Sequence, residues 1–108
     1  MELHVSERAR RVLERLAPAR KLDETIDELA TELLRARLRD CVEELGRFEA
    51  KHGCMFEQFA ADWQAGRIPD RSSHEAEREF MEWEALTMER RELLNELHGL
   101  LSQSSGGA

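Results

Sequence analysis

From residue 22 to residue 52 the chain contains no proline and a single glycine, Gly46. Across it, Leu22, Ile26, Leu29, Leu33, Leu38, Val42, Leu45 and Phe48 recur at mostly three- and four-residue steps. That spacing is the period of an amphipathic helix. The pattern predicts one helix over residues 23–52, with Asp23 as its N-cap and Gly53 closing it in a left-handed C-cap. At 1.5 Å per residue such a helix is on the order of 45 Å long, more than the width of a small globular domain. In a chain of 108 residues such a rod is expected to pack against a second one folded back along it.

The remainder supplies the second rod. Residues 5–16 predict a short helix carrying Val5, Ala9, Val12, Leu13 and Leu16 on one side, stopped by Pro18. After Gly53, the residues Met55, Phe56, Phe59, Ala60 and Trp63 predict a brief aromatic helix ended by Gly66. Pro69 disfavours helix at Ile68, and the polar residues that follow favour a loop over 66–73. Ser72 with Glu75 reads as a capping box, so the last helix is expected to start there. It then continues unbroken through Phe80, Trp83, Leu86, Leu93, Leu94 and Leu97 to about Leu101. The Ser/Gly-rich stretch 102–108 is expected to be a disordered tail. The prediction is an all-α fold in three parts: a basic, mobile N-terminal helix within 1–21, a long antiparallel helical hairpin with a short connecting helix over 22–101, and the tail. A lone hairpin leaves apolar stripes that its two rods cannot cover, so a homodimer closing into a four-helix bundle is expected.

Composition removes several classes. Tyrosine is absent and only two prolines occur; with β-branched residues also scarce, strand-forming material is missing. No apolar run is long enough to span a bilayer, and the first residues lack the apolar stretch of a secretory signal. A cytoplasmic protein without a membrane partner is expected. Cys41 and Cys54, 13 positions apart, have neither metal-ligand spacing nor a disulfide-rich setting; they read as buried or half-buried thiols. The net charge of −7 is uneven. Residues 1–21 hold six Arg/Lys and three Glu, a balance of +3; the other 10 basic and 20 acidic residues leave −10. Arg8, Arg10, Arg11 and Arg15 are the one place where nucleic acid could be touched, although a short Arg-rich helix without aromatics is ordinarily a solvated face.

Catalysis finds no foothold. The serines lack a glycine-rich elbow, neither cysteine sits at a helix start beside histidine, and no phosphate-cradling loop exists. No enzyme and no cofactor are expected. Glu49 and His52 form a Glu-x-x-His pair of the kind used in di-iron bundles, but no second copy of the motif occurs. Their ordinary role is a solvated pair near a helix end; the alternative is a metal-binding four-helix bundle completed by dimerisation. Glu75, Glu77, Glu79, Glu82 and Glu84, broken by Arg78, begin the last helix, where negative charge complements the positive dipole end. Of these, Glu75, Glu79 and Glu82 fall at i, i+4 and i+7 on one side, beside Phe80 and Trp83. All the phenylalanines and both tryptophans lie between residues 48 and 83. They are expected to knot the hairpin shut, or to anchor a partner.

The run from Phe48 through Glu49, Lys51, Gly53, Phe56 and Glu57 to Phe59 is followed by Trp63, Gly66, Ile68-Pro69-Asp70, Ser73, Glu75, Glu77 and Trp83-Glu84-Ala85. This pattern, over roughly residues 45–87, resembles a group of small helical prokaryotic proteins encoded beside toxins of the TumE type and regarded as antitoxins. Where an aromatic would be expected between Ser73 and Glu75, this chain has His74. The resemblance implies neutralisation of a toxin protein by a helical, acidic surface. The acidic row beside the aromatic cluster adds a separate expectation: Glu75, Glu79 and Glu82 occupy the basic site of a partner that acts on RNA or nucleotides. The residues expected at that surface are Phe56, Phe59, Trp63, Asp70, His74, Glu75, Glu79, Phe80, Glu82 and Trp83.

Overall fold

The computed structural model describes residues 5–106. Over that range it holds four helices and no strand: α1 (Glu7–Leu16), α2 (Leu22–His52), α3 (Phe56–Gln64) and α4 (His74–Gly106). The all-α class expected from the sequence is the class observed. The two rods, of 31 and 33 residues, are each about 46–50 Å long at 1.5 Å per residue. They lie side by side in a molecule measuring 58 × 31 × 27 Å, with α1 against α2 and α3 against α4.

Helix boundaries follow local chemistry, and several differ from expectation. The side chain of Ser6 caps α1 by accepting the Ala9 N–H at 3.1 Å, so Val5 precedes the helix. α2 begins at Leu22 with Lys21 in the cap position and no side-chain cap bond. Asp23, expected as the cap, lies inside the first turn, where its carboxylate accepts the Glu24 N–H at 3.0 Å. Burial of part of Leu22 is reason enough to draw it into the helix ahead of the acid. Gly53 ends α2 as expected, at φ 68° with its N–H on the Glu49 carbonyl; that left-handed conformation is cheap only for glycine.

The cap of α4 is Ser73 rather than Ser72: its Oγ accepts the Ala76 N–H at 3.1 Å. A turn sets this register. Asp70 adopts φ 56° and its carbonyl accepts the Ser73 N–H at 2.9 Å, placing Ser73 one residue later than the Ser72–Glu75 box requires. At the other end α4 runs to Gly106, past the expected stop at Leu101. Once a helix exists, each added residue needs no new nucleus, so Ser and Gly can prolong it. Residues 1–4 of the basic segment and 107–108 of the expected tail lie outside the described residues.

The core occupies the closed end of the hairpin and thins along the rods. Cys41, Leu45, Phe59, Trp83 and Leu93 are buried, with Phe48, Phe56, Trp63, Ile68, Phe80 and Leu86 packed around them. Leu33, Val42, Met81 and Met88 remain largely exposed. One hairpin buries one narrow seam, and the apolar residues outside it are left largely uncovered by the described residues.

Candidate protein interface

Seven rings close the junction of α2, α3 and α4. Trp83, fully buried, stacks on Phe48 at 5.5 Å and on His52 at 5.2 Å, and meets Phe59 at 4.8 Å and Phe56 edge-on at 5.6 Å. Phe80 joins Trp63 at 4.7 Å and Phe56 at 5.5 Å. The spacing follows from helix geometry: Phe48 and His52 share a face of α2 at i, i+4, as Phe80 and Trp83 share one of α4 at i, i+3. The five expected aromatic contact residues, Phe56, Phe59, Trp63, Phe80 and Trp83, are therefore brought together, but inward and mostly against one another.

His52 departs from the expected solvated pair. Its ring lies between those of Trp83 and Phe59, 4.7 Å from the latter, and its Nε2 is buried with no hydrogen-bond partner among the described residues. The nearest carboxylate, Glu79 Oε1, is 3.6 Å away. Among the described residues no three His, Cys, Asp or Glu side chains converge as a metal site.

The expected acidic row is divided. Glu79 is half-buried and accepts a hydrogen bond from the Lys51 ammonium. That bond holds the Glu79 carboxyl below the usual carboxylate range against the opposing effect of desolvation, and lifts Lys51 above its ordinary value. Glu82 lines a shallow groove shared with Glu44, Arg47, Phe48 and Lys51 of α2, so charges of both signs from the neighbouring rod border it. Glu75 is exposed at the first turn, and His74 is exposed beside it. Asp70 is exposed in the loop, where its backbone shapes the turn described above.

A surface that the sequence reading passed over lies on the outer side of α4. Met81 and Met88 are 67% and 63% exposed, with exposed Ala85 between them. Positions i, i+4 and i+7 form one stripe on a helix. Its upper part is a depression lined by His74, Glu77, Arg78, Met81, Glu82 and Ala85. The seven-residue step from His74 to Met81 to Met88 was the available signal, masked because methionine fits either a core or a contact surface. Arg10 and Arg11 of α1 already lie 4.0 and 3.5 Å from Glu7, which partly neutralises the basic patch. Cys41 is buried, its Sγ donating to the Leu86 carbonyl at 3.2 Å, and Cys54 is half-buried. Burial first, then the nearby Glu89, raises the Cys41 pKa. No described helix is long and apolar enough to cross a membrane.

No protein-family model, curated protein or solved structure matches this chain.

Proposed function

We propose that the chain is a non-catalytic protein-interaction module, an antitoxin-like partner that neutralises a toxin by covering a basic surface on it. The contact surface is the outer face of α4. The observation that carries this reading is the exposed stripe Met81, Ala85 and Met88, bordered by the exposed carboxylates of Glu77, Glu82 and Glu84 and by the single cation Arg78, which leaves the rim acidic on balance. An apolar centre with a charged rim is the composition of a protein contact site. Methionine adapts to an irregular partner, and the acidic rim favours a basic one and steers its approach. Closure of the aromatic knot supports the same assignment, because it leaves the rings to hold the rods in place while α4 presents its outer side. The resemblance of residues 45–87 to proteins encoded beside TumE-type toxins names the kind of partner, and the gene adjacent to this one is where it is sought.

The test is to mix the purified protein with the product of the neighbouring gene and follow complex formation by size exclusion with light scattering. A complex is expected that weakens as salt rises and is lost when Met81→Asp is combined with Glu82→Lys. Absence of a complex with the wild-type chain, or a complex indifferent to both changes, overturns the proposal.

A further inference from the structure

Along the open half of the hairpin, well away from the aromatic knot, α2 and α4 leave a groove of about 790 Å³ between them. Its floor is apolar: Leu33, Leu34, Leu93 and Leu100, with Ala30 and Gly99. Leu33 is 60% exposed, a large apolar side chain with little cover among the described residues. The two walls carry opposite charge. Arg37 stands on the α2 wall, and Glu89 and Glu96 stand on the α4 wall. Among the described residues none of the three is in an ion pair within the chain.

We propose that this groove is a self-association surface, on which a second copy of the chain docks about a two-fold axis running along the hairpin. An isologous contact requires a surface complementary to itself. A groove with a positive wall and a negative wall meets that requirement when the axis exchanges the walls. An axis parallel to the rods lays α2 of one copy over α4 of the other without shifting either along its length. The register within one chain then sets the register between chains. Cys41 lies beside Leu86 and Lys51 beside Glu79, so stepping back along α2 corresponds to stepping forward along α4. Counting four and eight residues from the Cys41–Leu86 contact sets Arg37 level with position 90 and Leu33 level with position 94 of the second copy, so Glu89 and Leu93, which line the same groove, each lie about one residue's rise away. Each pairing occurs twice, and four rods enclose the leucines as a four-helix bundle. The other in-plane axis, across the rods, would lay α4 on α4 and set Glu89 and Glu96 against the same acidic row.

The groove on the opposite side of the hairpin is less suited to a copy. It is smaller, about 630 Å³, and its charged residues, Arg35, Arg39 and Glu43, all stand on α2 while α4 contributes Leu97. No charge on the α4 wall answers those arginines when the rods are exchanged.

The proposal rests on the chain being an interaction module and adds which face it uses for itself. It is separable from toxin binding, because the groove and the Met81 stripe are different surfaces. Sedimentation velocity and equilibrium of the full chain, from low to high micromolar concentration, is the test. The wild type is expected at twice its 12.5 kDa mass. Leu33→Glu, with helix content unchanged by circular dichroism, is expected to weaken association a hundredfold or more, since it buries two unpaired carboxylates at the centre of the contact. Val42→Glu, in the opposite groove, is expected to leave it intact. Arg37→Glu alone is expected to cost about tenfold by reversing two rim pairs, and Arg37→Glu with Glu89→Arg to restore association. A monomer at every concentration overturns the proposal, as does a dimer broken by Val42→Glu but not by Leu33→Glu, or a failure of the double charge reversal to recover what the single one loses. A monomer that still binds the neighbouring gene product would remove the second copy and leave the toxin-binding proposal standing.

Discussion

Replacing Trp83 measures how much of the hairpin rests on its aromatic end. The side chain is fully buried and contacts the rings of Phe48, His52, Phe56 and Phe59. A tryptophan buries about 150–250 Å², which at about 25 cal/mol per Å² contributes roughly 4–6 kcal/mol. Trp83→Ala forfeits this and leaves a void between two rods whose backbones cannot collapse onto it. A loss of about 4–5 kcal/mol is expected, at the upper end of the range for such truncations. For a chain of this length that is from about a third to nearly all of a stability of roughly 5–15 kcal/mol. Trp83→Phe is different. It also leaves a gap, but it removes an indole N–H that is buried without a hydrogen-bond partner among the described residues. Such an orphaned donor costs about 1–3 kcal/mol, which offsets the lost ring area, so a net loss of only about 1–2 kcal/mol is expected. Urea unfolding at fixed protein concentration, followed by far-ultraviolet ellipticity, separates the two. A loss under about 1.5 kcal/mol for Trp83→Ala, or equal losses for both variants, would refute the account of the core.

Three further outcomes are expected. Ser73→Ala should lower stability by about 1 kcal/mol through loss of the cap bond to Ala76, while Ser72→Ala should change it little; the reverse order in thermal melts would mean that α4 starts one residue earlier. Glu79 has its pKa lowered by the Lys51 hydrogen bond, so its contribution is present at neutral pH and is lost as pH falls from the ordinary carboxylate range through the folded value; Glu79→Gln should flatten the acid limb of a stability-against-pH curve, and an unchanged limb would contradict the pairing. Cys41 should resist alkylation under native conditions while half-buried Cys54 reacts sooner, because burial both shields the Cys41 thiol and raises its pKa. Mass spectrometry of partly alkylated protein reads the order directly, and first reaction at Cys41 would contradict it.

The rods were legible because a breaker-free run with apolar residues at three- and four-residue steps leaves the backbone little choice. Gly53 was legible for the same local reason: only glycine sits cheaply at φ 68°. The caps at Lys21 and Ser73 were not, since they depend on how Leu22 packs and on the positive-φ turn at Asp70, which residue type alone does not announce. His52 illustrates the larger gap. Its spacing from Glu49 points to an exposed helical pair, yet the register between α2 and α4 places it between Trp83 and Phe59. Glu79 was readable as part of an acidic row, but only tertiary structure brings Lys51 to it. The methionine stripe is the converse. Met81 and Met88 were visible as residues, and their exposure became plain once the opposite face of α4 was seen to fill the core.

Methionine oxidation tests the central proposal most directly. Met55, Met81 and Met88 are all more than half exposed in the free chain, so a brief pulse of oxidant should modify all three at comparable rates. With the neighbouring gene product bound, Met81 and Met88 are expected to be protected together while Met55, outside the α4 stripe, oxidises as before. Protection of Met55 alone, or equal oxidation of Met81 and Met88 with and without the bound partner, would show that the outer face of α4 is not the surface this protein uses.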